Sequence, residues 1–184
     1  MRNIFIDCGY NVGDVTEDTY NQKGDKYEYF AFEANPYLFQ AHKDRHSFCK
    51  LEEKAVWVSN CILPFYVVKV DKYGKDNAFT GASTLNKEKS KWNMTVHKEE
   101  EKVNVEAFDF SEFILNNFKK EDNIIIKMDI EGAEYKVLNK MIEDDSLSHI
   151  NQLVVEFHDE KTGENKESIM KEINNRSINF SDWH

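Results

Sequence analysis

Four short clusters in this 184-residue chain combine residue types whose spacing suits chemistry. The first is DCGYNVGD, residues 7–14, where Gly9 and Gly13 let the backbone turn sharply and approach a ligand with no Cβ in the way. Backbone amides in such a turn can receive a carboxylate, and Asp7 can accept a hydrogen bond from an ammonium group; a glycine turn with a capping Asp is the plainer use of the same residues. The spacing is neither GxGxxG nor a Walker loop with its lysine, which disfavours a phosphate cradle. The second cluster is FEANP, whose Glu33 can grip both hydroxyls of a ribose. In the third, MDIEGAEYKVL, Asp129 and Glu131 stand two residues apart, and Gly132 gives the backbone room before a helix. Carboxylates so placed serve as general base, metal ligands or helix caps. The fourth pairs Glu156 with His158, two apart on a strand and so on one side of it. Near Asp129, that pair can hold a divalent ion or move a proton; a histidine at a strand end is also often merely exposed.

These clusters need elements to position them, and the apolar pattern supplies strands. NIFIDC (3–8) reads as a strand followed by a helix over VTEDTYNQ, and YEYFAFEANP (27–36) reads as a buried strand closing on its acid. A helix over 37–46 follows, and a weaker third strand is expected over 48–58. LPFYVVKV (63–70) and KVNVEAF (102–108) alternate like antiparallel or edge strands. A helix over 109–118 precedes the most strand-like run, NIIIKMDI (123–130), and GAEYKVLNKMIED continues as an amphipathic helix. NQLVVEFHDE (151–160), a helix near 164–174 and the SINFSDWH tail, read as an edge strand or a docked terminus, complete the chain. Strands alternating with helices predict an α/β, mostly parallel sheet covered on both faces, with ligands at the carboxyl ends of the strands. The polar segment 71–101, with Phe79, Trp92 and Met94 scattered in it, is longer than the usual connection and reads as a lid or acceptor loop.

Length and composition predict one domain over residues 1–184. A net charge of −10 disfavours nucleic acid as a partner. No apolar run reaches the roughly 20 residues of a spanning helix, which predicts no membrane partner and a cytoplasmic protein. Cys8, Cys49 and Cys61 are odd in number and widely spaced, as in a reducing compartment.

Taken in order, DCGYNVGDVT, FEANP, KAVWVSN, GASTL, VEAFDF, IIIKMDIEGAEYKVL and VVEFH resemble the FkbM-type methyltransferase pattern over residues 3–158, with IKMDIEGAE the most specific piece. The resemblance implies a Rossmann-like class I fold and methyl transfer from S-adenosylmethionine, commonly to a hydroxyl on a sugar or other small molecule. It places Asp7, Gly9, Asn11 and Gly13 at the amino-acid end of the cofactor, Glu33 on the ribose and Asn35 beside the adenosine. Ser83 and Asp109 line the cofactor or acceptor cleft, and Asp129 and Glu131 face the transferred methyl. The sequence departs from the family in Tyr10, where a small residue is more usual, and in a sheet that stops soon after its fifth expected strand. A compact or truncated carboxyl-terminal edge follows, which an unpaired strand of a second copy would cover in a homodimer.

Methyl transfer is an in-line displacement that depends chiefly on positioning. A base within reach of the hydroxyl adds about 10²–10⁴ in rate. Asp129 and His158 are the candidate bases, with Glu131 as a further catalytic candidate. A magnesium-like ion on Asp129, Glu131 and Glu156 is the competing arrangement. Two other readings compete: a non-catalytic adenosyl- or nucleoside-binding module, which has no use for the Asp129 cluster, and a nicotinamide-dependent oxidoreductase, which the missing third glycine disfavours.

Overall fold

The structure, a computed structural model, describes residues 1–68, 83–85, 100–158 and 166–182. In chain order these form β1 (Asn3–Cys8), α1 (Asp14–Lys23), β2 (Glu28–Phe32), α2 (Pro36–His42), β3 (Cys49–Glu52), β4 (Ala55–Trp57), β5 (Cys61–Val68) and β6 (Glu100–Asp109). Then come α3 (Phe110–Asn117), β7 (Asn123–Met128), α4 (Glu134–Glu143), β8 (Gln152–Val155), α5 (Lys166–Asn175) and β9 (Asn179–Asp182). No helix among these residues is long and apolar enough to cross a membrane.

Six strands pair in the order β3-β2-β1-β7-β8-β9, every pairing parallel. The fold is the expected α/β, Rossmann-like one. β1 and β7 lie at the centre and are covered on both faces, which is why their sequences read as nearly unbroken apolar runs. Alternation splits each run between two layers. Ile4, Ile6 and Cys8 join Ile124, Ile126 and Met128 in the main core, where Ile114 of α3, Leu138 and Met141 of α4, and Ile169 and Ile173 of α5 pack against them. Phe5 and Ile125 turn the other way and pack with Val15 and Tyr20 of α1.

The strand order reverses between β1 and β7. That reversal opens a crevice at their carboxyl ends. The tail forms β9, parallel to β8, and so completes the sheet at that edge as a single strand.

One expectation is corrected. The strand expected over 48–58 is two strands in two sheets, because Lys54 N turns back onto Glu52 O at 3.0 Å. β3 stays at the edge of the large sheet, whereas β4 joins β6 and β5 in a three-stranded sheet of order β4-β6-β5. There β5 and β6 run antiparallel, as their alternation suggests. Ala55, Phe65, Val67, Val105 and Ala107 form this sheet's own apolar cluster. The sheet stands against the crevice and becomes one of its walls.

Candidate active site

A cleft of about 570 Å³, open to solvent, lies at the strand ends. Gly9 and Asn11 after β1, Glu33 to Asn35 after β2, and Asp129 to Glu131 after β7 form its polar floor. Leu38 of α2, Ala55 and Val56 of β4, Phe65 of β5, and Leu85 supply apolar walls. Lys54 adds a cation at the rim, paired with Glu52 at 2.7 Å.

Glu33 is buried, and its two oxygens accept the backbone N–H groups of Asn11 (2.7 Å) and Asn35 (2.8 Å). It therefore ties the first loop to the second while facing the cleft. Burial pushes its carboxyl up to about 7 against the opposing pull of those two amides. Asn35 also caps α2 by accepting Tyr37 N, and its Nδ2 reaches Ser83 Oγ at 3.4 Å, which brings Ser83 to the cleft wall.

The first loop departs from expectation. Asp7 does not line the cleft: strand alternation turns it onto the α1 face with Phe5, where it is fully buried and accepts a hydrogen bond from Thr16 Oγ1 at 2.7 Å. Its cross-strand partner in register is Lys127, also buried, whose Nζ lies 3.3 Å from Asp7 Oδ1. That ammonium donates to Gly9 O at 2.7 Å and lies 3.7 Å from Asp129 Oδ2. Burial pulls its pKa down, but the Asp7 and Asp129 carboxylates outweigh burial and raise it above the ordinary lysine value.

Each of the two glycines also makes room for a contact within the protein. A Cβ on Gly9 would stand 1.9 Å from Asp129 O, so its absence lets the β1 and β7 ends close up. At Gly13 a Cβ would meet the Tyr10 ring at 2.4 Å, and Gly13 lies outside the cleft lining. Tyr10 fills the space a small residue would leave, and its hydroxyl bonds His46 Nδ1 at 2.8 Å in the interior. Gly13→Ala, at φ 86°, is expected to cost about 2–3 kcal/mol of stability, read by urea denaturation. Asp109 is corrected as well: it lies outside the cleft lining and caps α3, accepting Glu112 N at 2.9 Å.

Behind Asp129 and Glu131, which line the cleft, four carboxylates surround one imidazole, and His158 and Glu156 themselves lie outside the lining. His158 Nδ1 lies 3.0 Å from Glu134 Oε1, and its Nε2 lies 3.4 Å from Glu131, 3.6 Å from Glu156 and 4.0 Å from Asp129. Asp129 Oδ1 has no hydrogen-bond partner among the described residues. Glu131 takes a left-handed backbone conformation (φ 57°), and its carbonyl accepts the Thr84 hydroxyl.

A family model described as the methyltransferase FkbM domain matches residues 7–179. The chain belongs to the FkbM methyltransferase family. No curated protein and no solved structure matches it.

In this family member the expected metal trio gathers at His158 Nε2 but does not bring its donor atoms close enough to one another to share an ion. Asp129, Glu134 and His158, rather than Asp129, Glu131 and Glu156, offer donor atoms within 4.8 Å of one another. Glu134 is already committed, since its oxygens accept Ile130 N (2.9 Å) and Gly132 N (3.0 Å) and face His158 Nδ1. That donor set does not fit an ion, and no metal is assigned. Glu134, Lys127, Thr16 and Thr84 escaped the sequence reading. Lys127 carried the clearest signal, a charge inside the run NIIIKM that is buried on both faces and therefore demands an acid. Of the loop expected as a lid, Ser83–Leu85 reach the cleft, whereas Phe79, Trp92 and Met94 lie outside the described residues.

Proposed function

We propose that the chain transfers a methyl group from S-adenosylmethionine to a hydroxyl of a small molecule or glycan. The observation that carries the reading is one cleft lined both by a buried carboxylate, Glu33, with lone pairs left for a diol, and by the carboxylate residue Asp129. Glu33 keeps lone pairs beyond those used by Asn11 and Asn35, and two ribose hydroxyls would supply the donors its buried charge lacks. Apolar Leu38, Val56 and Phe65 suit an adenine ring, with Asn35 beside it. Gly9 and Asn11 line the part of the cleft left for the cofactor's amino-acid end, in place of the Asp7 side chain.

The cofactor, when bound, supplies a methyl on a sulfonium, already activated toward an oxygen nucleophile. The chain's part is to hold the acceptor in line and relieve it of its proton. The Asp129 carboxylate, which lines the cleft, would accept the hydroxyl's proton, and His158 Nε2, 4.0 Å from Asp129 Oδ1, would take it on. Calorimetry with S-adenosylmethionine and S-adenosylhomocysteine, with NAD as control, tests the reading. Micromolar binding of both adenosyl ligands and none of NAD is expected; no binding of either adenosyl ligand would sink it.

A further inference from the structure

We infer that Glu134 is the positioning residue of this site, setting His158 so that Nδ1 carries the fixed ring proton and Nε2 is the nitrogen free to exchange one. The role in proton transfer rests on the methyltransferase reading; the hydrogen-bond assignment does not.

Glu134 opens α4 and is fully buried, a costly place for a carboxylate unless every lone pair is used. Two backbone donors, Ile130 N and Gly132 N, converge on it from the segment that carries Glu131; both reach Oε1, and Gly132 N is shared with Oε2. The third contact is His158 Nδ1 at 3.0 Å. An ionised carboxylate so surrounded only accepts, so the proton of that hydrogen bond belongs to the ring. One residue thus fixes both the turn that presents Glu131 and the ring that faces Glu131 and Asp129.

With Nδ1 protonated, the neutral ring keeps its lone pair on Nε2, inside the arc of Asp129, Glu131 and Glu156. As the acceptor oxygen bonds to the methyl carbon and the carbon–sulfur bond breaks, the hydroxyl proton leaves through the Asp129 carboxylate to Nε2. The resulting imidazolium is stabilised by Glu134 on one side and by the three carboxylates on the other.

The test is the histidine ring nitrogen spectrum of the intact chain, recorded by two-bond proton–nitrogen correlation at a pH where the ring is neutral. Wild type is expected to show His158 with a protonated Nδ1 and a bare Nε2. In Glu134→Ala the oxygen that faces Nδ1 is gone, and the tautomer is expected to move to Nε2–H, toward the three remaining carboxylates. A wild-type His158 protonated on Nε2 overturns the inference, even if the variant does not fold. So does a folded Glu134→Ala with the wild-type pattern. S-adenosylhomocysteine titrated into the same samples separates the two readings. Failure to bind removes the methyltransferase reading and leaves the tautomer result standing, whereas binding with the wrong tautomer removes only the role of Glu134.

Discussion

Lys127→Met is expected to lower the free energy of unfolding by about 3–5 kcal/mol, the cost of breaking a buried ion pair from one side. The ammonium sits where two strands, a loop and a catalytic candidate meet: opposite Asp7 in register, on the Gly9 carbonyl, and beside Asp129. Removing it leaves the fully buried Asp7 with Thr16 alone and frees the first loop from β7. Urea denaturation of Lys127→Met, of Asp7→Asn and of the double variant separates charge from packing. The double variant is expected to recover much of the loss, because replacing both members of a buried pair is far less costly than orphaning one. A single Lys127→Met variant within about 1 kcal/mol of wild type would show that Asp7 does not depend on this ammonium.

Lys127 also marks where sequence reasoning stopped. The strand ends were legible because buried parallel strands read as apolar runs closed by an acid or a turn, and NIFIDC, EYFAF and NIIIKM each do so. Position at a strand end does not give direction. Asp7 and Cys8 are neighbours, and alternation alone decides that one sits under α1 and the other in the main core. Periodicity shows that they part but not which face α1 covers, so the sequence leaves Asp7 as free to face a ligand as to sit under the helix. Asp109 was misplaced for a related reason: an acid that ends a strand and begins a helix is as well used capping the helix as lining a cleft. The division of residues 48–58 between two sheets turns on the single reversal at Glu52–Lys54, where no glycine or proline announces it. Glu134 was invisible because its value lies in three contacts, one of them to a histidine 24 residues away.

Glu33→Gln is expected to weaken S-adenosylhomocysteine binding by about 10²-fold, since two hydrogen bonds to a charged group are worth about 1.5–3 kcal/mol each and the amide replaces part of that. The pH dependence is the sharper test. The ordinary glutamate value is 4.5, and in the folded chain burial raises Glu33 to about 7. For an acid raised on folding, stability is unaffected below the unfolded value and is lost as pH climbs from about 4.5 to about 7. A shift of that size corresponds to roughly 3 kcal/mol above pH 7. A diol that donates to the carboxylate offsets this penalty and must displace the proton to do so. Affinity should therefore rise with pH up to about 7, approaching tenfold per unit, and level off above it. At neutral pH, calorimetry in buffers of different ionisation enthalpy should register proton release on binding, and Glu33→Gln should abolish both the slope and the release. A wild-type affinity flat between pH 5.5 and 8 would mean that the ligand does not engage this carboxylate, and the ribose would then have to lie elsewhere along the strand ends.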